Sequence, residues 1–484
     1  MTSRQARAIA AIAGPIAYLV CLRAGPASLG PDQREVLGLG AWMLVWWLME
    51  PVPLAVTSLL PVIVLPLFGV VTLRDITAPY ANEMIFLFLA GFLLAAALEF
   101  WGAHLRLALR IVAAAGRNGR RIVLALMAAT AFISMWISNT ATAAMMYPIA
   151  MALGQLFGDG EPANRIRTSL FLGLAYAASI GGMGTLIGTP PNLIFAAASK
   201  ELLGQPIDFA RYLLIGVPCV ILLVPICWAV LCYFVFPSDA VLGEAAERAV
   251  ADRRARLGKF KGGERATIVV FGLTALAWIF REPKELGGLS IPGLTALAPG
   301  LSDAAIGLTG ALALFLIPAR DMTGERRRLL SWHEAKGIPW EVLLLFGGGL
   351  SLAAATEQTG LTQWFGEQVA GLQGASPFVV LIVVAIGTVL LSELASNTAV
   401  AAMAMPIAAG LASGADLPAI RVMAVAALAA SAGYALPIAT PPNAIAYGSG
   451  RVTARQMLRA GLVMDVVAVL VIVAVVMLLG PVAG

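Results

Sequence analysis

The chain has 484 residues, 60% of them hydrophobic and only 12% charged, against roughly 25% charged in ordinary soluble domains. Such a composition excludes a water-soluble globular protein. The net charge of +5 and the pI near 9.2 do not imply a nucleic-acid partner, because the excess bases lie in loops between apolar stretches, where the positive-inside rule puts them.

Crossing about 30 Å of hydrocarbon takes roughly 20 helical residues, and apolar stretches of that order recur from end to end. Taken in chain order, spans are expected near residues 8–24, 36–49, 52–73, 83–112, 166–199, 207–237, 265–281, 302–318, 339–369, 418–448 and 455–483, about eleven in all. The first is read as a retained span and not a signal peptide, since it lacks a small-residue cleavage site. Between the spans lie two further segments, near 121–155 and 376–412, each long enough for two helical arms around a polar triplet. These are expected to be re-entrant hairpins with polar tips, because hydroxyls and amides are costly where they face lipid.

Basic residues set the orientation. Arg4 and Arg7, the run Arg106, Arg110, Arg117, Arg120 and Arg121, then Arg165 and Arg167, Arg248 to Arg265, Arg320 to Lys336 and Arg451 to Arg459 all fall on one side. That side is expected to be the cytoplasm, with the amino terminus inside, the carboxyl terminus outside, and the chain in an inner (cytoplasmic) membrane. The basic stretch from Arg248 to Arg265 is interspersed with Glu247, Asp252 and Glu264 and reads as a solvated connector.

The chain contains its own alignment. SNTATAAMMYPIA at Ser138 to Ala150 returns as SNTAVAAMAMPIA at Ser396 to Ala408, identical at ten of thirteen positions. IGTPPNLIF at Ile187 to Phe195 returns as IATPPNAIA at Ile438 to Ala446. The offsets are 258 and 251 residues, and Glu83 and Glu341 head similar segments 258 apart. Five spans per unit after the first helix make the two repeats inverted. The expected organisation is an N-terminal helix (1–35), a first repeat (36–237, with hairpin 121–155 and broken helix 166–199), a cytoplasmic linker (238–264) and a second repeat (265–484, with hairpin 376–412 and broken helix 418–448).

Each repeat offers the same chemistry. Asn139, Thr140, Asn397 and Thr398 stand where the second arm of each hairpin begins, and residues of this type cap helix N-termini well. Unpaired N–H groups and the positive dipole end at such a tip suit an anion. In each Thr-Pro-Pro-Asn element the prolines remove two amide donors, freeing carbonyls near Gly188 and Ala439 that suit a small cation. Ser134 and Ser392 lie four residues before Ser138 and Ser396, on the same helical face. Neutral oxygens without thiolate or imidazole favour Na+ over a transition metal.

Neither the repeated stretches Ser138 to Ala150 and Ser396 to Ala408 nor the Thr-Pro-Pro-Asn elements contain Lys or Arg, so a dianion would lack a side-chain counter-charge. One cation about 6 Å from one negative charge, at an effective dielectric near 20, is worth roughly 3 kcal/mol. Bound sodium would supply that attraction and couple anion affinity to sodium.

Other polar residues carry less. Glu393, opposite Met135 of the first hairpin, is an acid at membrane depth and a functional candidate, either for a proton, for cation binding or for a structural ion pair. Asp465, inside the last span, has no evident role. Glu50, Glu83, Glu99, Glu341 and Glu357 sit at expected helix ends or breaks and read as structural. Cys21, Cys219, Cys227 and Cys232 have no metal-ligand spacing. His104 and His333 are the only histidines, which leaves a zinc site or a histidine-based triad without support, and no HExxH or GxSxG motif points to an enzyme.

At the doubled SNT and Pro-Pro-Asn elements the chain resembles the divalent anion/sodium symporter family of di- and tricarboxylate and sulfate transporters, and the likeness covers nearly its whole length. The resemblance implies a homodimer whose protomers each combine a scaffold with a transport domain drawn from both repeats, the latter moving as an elevator. Carried over by position, Ser134, Ser138, Asn139 and Gly188 match one sodium site, and Ser392, Ser396, Asn397 and Ala439 the other. The anion would meet Asn139, Thr140, Asn397 and Thr398, with Thr189, Pro190, Thr440 and Pro441 lining the site. The leading expectation is a sodium-coupled symporter of C4 dicarboxylates such as succinate, fumarate or malate. Sulfate or tricarboxylate transport, dicarboxylate exchange, a proton-coupled carrier and a channel are the alternatives.

Overall fold

The computed structural model describes residues 3–102, 106, 111, 115–243, 262–286, 289–320, 324–368 and 376–483. Helices dominate it. Among the described residues six are long and apolar enough to cross a membrane: Arg7–Ala24, Leu73–Phe100, Phe209–Val235, Gly262–Ile279, Pro377–Leu394 and Ala454–Leu479. Shorter apolar helices cover Leu54–Leu67, Asp303–Leu316 and Ala419–Ala429. Large apolar side chains such as Ile12, Ile63, Leu67, Phe234, Leu312, Leu390 and Val466 lie on the outside, the pattern of a multi-pass protein whose surface meets lipid.

The expected spans differ from the observed helices where proline or glycine intervenes. Stretch 52–73 is not one helix: it forms Leu54–Thr57 and Leu60–Leu67, with Pro61 in the first turn of the second piece, a position that suits proline because its missing N–H has no helical partner to lose. Its turn is held by the Tyr80 hydroxyl, which donates to the Ser58 carbonyl. Gly348 lets the helix Trp340–Gln358 lie against the same turn, since a Cβ there would sit 2.2 Å from the Ser58 carbonyl oxygen. Stretch 83–112 is helical over Glu83–Phe100 and then turns at Gly102, whose φ is +70°. Stretch 339–369 divides at Gly360 (φ +74°) into Trp340–Gln358 and Leu361–Gln368.

Both SNT segments are helix pairs. Gly119–Ser134 and Asn139–Leu156 form the first, Pro377–Leu394 and Asn397–Gly414 the second. Both Thr-Pro-Pro-Asn elements fall between two helices: Glu161–Gly182 and Pro190–Leu203, then Ala419–Ala429 and Pro441–Gly448. In each case the two prolines occupy the first turn of the resumed helix, where no amide partner is lost.

Two antiparallel ribbons were not expected from the sequence, Lys284–Leu286 with Leu289–Ile291 and Pro318–Arg320 with Arg326–Arg328. They are three-residue excursions in loops and leave the all-α class unchanged. His104 and most of the linker lie outside the described residues. Glu264, expected in a solvated connector, is instead 5% exposed and pairs with Arg106 at 2.6 Å. Taking both charges out of water is compensated only while each keeps its partner. Glu264→Ala is therefore expected to cost about 3 kcal/mol, and the pair Glu264→Ala with Arg106→Met to recover part of it, read as thermal unfolding midpoints in detergent.

Candidate functional site

The tips and the breaks meet within each repeat. The Ser134 hydroxyl lies 2.9 Å from Asn139 Oδ1 and 2.6 Å from the Ala178 carbonyl oxygen, where it is a donor with one proton for two acceptors. The Ser392 hydroxyl repeats this at 2.8 Å to Asn397 Oδ1 and 2.6 Å to the Ala430 carbonyl oxygen. Ser134 and Ser392 are fully buried. Three oxygens sharing one proton, twice over, form an electron-rich cluster that a cation would relieve.

The asparagines of the tips do not cap their helices as expected. Ser138 and Ser396 hold the cap positions, and the Ser138 hydroxyl accepts from the Ala141 amide at 3.3 Å. Serine is as good a cap as asparagine, which leaves the Asn139 and Asn397 side chains to face back toward Ser134 and Ser392.

Each break is closed by its own asparagine. Asn192 Nδ2 donates to the carbonyls of Gly182 (2.8 Å) and Thr185 (2.7 Å), and Asn443 Nδ2 to those of Gly433 (3.2 Å) and Leu436 (3.0 Å). The freed carbonyls expected near Gly188 and Ala439 are thus in part those of the preceding turn, already satisfied by a side chain. Both asparagines are fully buried. With the amide nitrogen fixed on two carbonyls, Oδ1 is left without a donor in both copies.

Gly182 is the point where tip and break touch. A Cβ added to it would lie 2.2 Å from Asn139 Oδ1, and a Cβ on Gly188 would lie 2.5 Å from the Gly182 carbonyl oxygen. Gly433 has the equivalent place, with Ala439 Cβ and the Ser392 carbonyl oxygen each 3.3 Å from its Cβ position. Asn139 and Gly188 therefore meet at Gly182, with Ser134 joined through Asn139; Ser392 and Ala439 meet at Gly433, with Asn397 joined through the Ser392 hydroxyl. Ala178, Gly182, Asn192, Ala430, Gly433 and Asn443 were not among the expected site residues. The identical asparagine in both Thr-Pro-Pro-Asn copies was the one signal that pointed to any of them.

The expected anion-lining residues divide by exposure. Thr189, Thr398 and Thr440 are buried, Pro190 is half-buried, and Thr140 and Pro441 are exposed. Thr440 accepts from the Asn443 amide at 3.3 Å, as an N-cap. Across the repeats the contacts are between helices: Pro190–Leu203 packs on the second arm of the second hairpin, and Pro441–Gly448 on the second arm of the first.

Apolar helices, polar tips and paired helix breaks define a membrane transporter and not an enzyme. A sequence model described as the sodium:sulfate symporter transmembrane region matches residues 4–483, and the chain belongs to that family, the divalent anion/sodium symporters. It is 38% identical over 97% of its length, and 91% of the relative's, to a protein of Staphylococcus saprophyticus named sodium-dependent dicarboxylate transporter SdcS. It is equally similar to the protein of that name in Staphylococcus aureus, over 98% of this chain and 91% of the other. The crystal structure of the Alcanivorax borkumensis YdaH transporter shares the fold, with a TM-score of 0.55 at 14% identity over 84% of this chain and 87% of that one.

The two glycines rank the tips. Gly182→Ala forces Asn139 out of place, whereas Gly433→Ala meets nothing closer than 3.3 Å. Gly182→Ala is expected to reduce transport of radiolabelled substrate at least tenfold more than Gly433→Ala, a ratio of roughly 1.4 kcal/mol, with both proteins eluting alike on gel filtration.

Proposed function

We propose that this protein is a sodium-coupled symporter of C4 dicarboxylates such as succinate, fumarate and malate. The observation that carries the reading is the repeated cluster of serine hydroxyl, asparagine oxygen and backbone carbonyl, one proton for three oxygens, in each half. The names of the staphylococcal relatives agree with it.

In this reading Ser134, Ser138, Asn139 and Gly188 hold one sodium ion, joined by the Ala178 carbonyl. Ser392, Ser396, Asn397 and Ala439 hold the other, joined by the Ala430 carbonyl. A dicarboxylate lies between the tips, with its carboxylates on Asn139, Thr140, Asn397 and Thr398 and with Thr189, Pro190, Thr440 and Pro441 beside it. No lysine or arginine lies within Ser138–Ala150, Ser396–Ala408 or the Thr-Pro-Pro-Asn elements, so the sodium ions supply the positive charge and affinity becomes linked to sodium. Two separated carboxylates match two tips better than one compact tetrahedral sulfate.

The repeats are inverted, residues 36–237 and 265–484. The chain sits in an inner membrane as a homodimer with its amino terminus in the cytoplasm, and the hairpins with the broken helices move as an elevator against the scaffold.

The test is uptake of labelled succinate into proteoliposomes under an inward sodium gradient, compared with potassium. Saturable, sodium-dependent uptake is expected, falling at least tenfold in Asn139→Ala and in Asn397→Ala. Uptake indifferent to sodium and driven by internal dicarboxylate would make the protein an exchanger, and sodium-driven uptake of sulfate or citrate instead of succinate would change the substrate.

A further inference from the structure

The two halves differ most where their breaks begin. Asn192 and Asn443 each donate to a carbonyl ten residues earlier, which makes Gly433 the equivalent of Gly182. Regular helix runs as far as Gly182 in the first repeat but stops at Ala429 in the second, four residues before Gly433. The second helix is unwound further, and amides that would have bonded within it need other partners.

Those partners are two carboxyl groups from two other elements. Glu393, at the end of the first arm of the second hairpin, accepts from the Ala435 amide on Oε1 and from the Leu436 amide on Oε2, both at 2.7 Å. Asp465, on the last helix, accepts from the Tyr434 amide on Oδ1 at 3.1 Å. Three consecutive amides are thus taken by two acids, 6% and 8% exposed. The first repeat has Met135 in place of Glu393. It has Val220 in place of Asp465, counting four residues on from Gly216 and Gly461, which press against their breaks in the same way.

Both oxygens of Glu393 accept from backbone amides, an arrangement that favours the ionised carboxylate, and Asp465 holds the neighbouring amide of the same turn. No basic side chain forms an ion pair with either acid among the described residues. Tyr434 in the break and Tyr176 in the first broken helix are the other titratable side chains near them. The charge lies beside the second oxygen cluster. Glu393 Oε1, the Ser392 carbonyl and Ala439 Cβ all come within 3.5 Å of one point, the Cβ position of Gly433.

We propose that Glu393 is the resident negative charge of the second cation site and that Asp465 is the residue that positions it, which makes the two sodium sites unequal, the second binding more tightly. This rests on the reading that the serine and asparagine clusters hold sodium. A buried carboxylate without a basic partner is costly; two amide donors hold it in place here, and a bound cation completes its neutralisation. The first site, flanked by Met135 and Val220, has no such charge and fills second.

Binding of radioactive sodium to the purified full-length protein, without substrate, tests this. On a Ser134→Ala background, which cripples the first site, Glu393→Gln is expected to weaken sodium binding at least tenfold. On a Ser392→Ala background, which cripples the second, it should change binding far less. Asp465→Ala should weaken the second site and Asp465→Asn should restore most of it, because the amide oxygen still accepts from the Tyr434 N–H and keeps the turn that holds Glu393 in place. Where Glu393→Gln does not elute as a folded species, Glu393→Asp, which retains the charge, and the Asp465 pair decide. Equal effects on both backgrounds, undiminished binding in Glu393→Gln, or an Asp465→Asn as damaging as Asp465→Ala would each overturn the proposal. A parent protein that binds no sodium at all would overturn the reading of the sites as well.

Discussion

Two backbone carbonyls in each broken helix lie outside the regular helical ladder where the chain leaves the helix, and one side-chain amide, that of Asn192 or Asn443, donates to both; the second of each pair, Thr185 or Leu436, also accepts from the amide three residues on. In water such carbonyls would be hydrated at no great cost. Inside a bilayer each would cost several kcal/mol. Irregular backbone at that depth is possible only with a donor that is itself fixed, and an asparagine two residues past a proline start is fixed by the helix it begins. The glycine that meets the tip, the carbonyl that faces the serine and the alignment of the resumed helix all follow from that one side chain.

The asparagine bond also explains why tip and break belong together. With the Gly182 carbonyl held from one side by Asn192, its Cα faces Asn139 from the other, and no side chain larger than hydrogen fits between. The tip can then reach the break closely enough for the Ser134 hydroxyl to lie between Asn139 and the Ala178 carbonyl. In the second half the serine, asparagine and carbonyl contacts recur, but Gly433 has Ser392, Glu393 and Ala439 nearest to it in place of the tip asparagine. Each resumed helix packs on the hairpin of the other half, so the two clusters are joined by helix contacts that cross the repeats.

Much of this was legible in the sequence because the chain repeats itself. Spacing alone separates the SNT triplets from ordinary buried serines, and Pro-Pro marks where each helix resumes. The divided span at 52–73 was not legible, since hydropathy is blind to a turn that stays largely apolar, and at 339–369 the break is marked only by the short polar run Glu357–Gly360 between two apolar stretches. Nor was the cap. Serine, asparagine and threonine all cap well, and the choice of Ser138 depends on Asn139 being drawn toward Ser134, a tertiary contact. Asp465 had no meaning in sequence because its partner, the Tyr434 amide, is a backbone group that exists as a free donor only when the helix has unwound. Glu264 was misjudged for a related reason: its neighbours in sequence are charged, but its neighbour in space is Arg106.

Doubling also makes the differences between the halves informative. Ile187, before the first Thr-Pro-Pro-Asn turn, is 4% exposed, while its counterpart Ile438 is 77% exposed. Thr140 is exposed and Thr398 buried. The first tip and the second break are thus the more exposed pair, and the second tip and the first break the more buried one. The second break combines an exposed Ile438 with a deeper turn whose amides are taken by Glu393 and Asp465, and the first break has no acid in the equivalent places, so the two halves share a sequence pattern without sharing the same electrostatic surroundings.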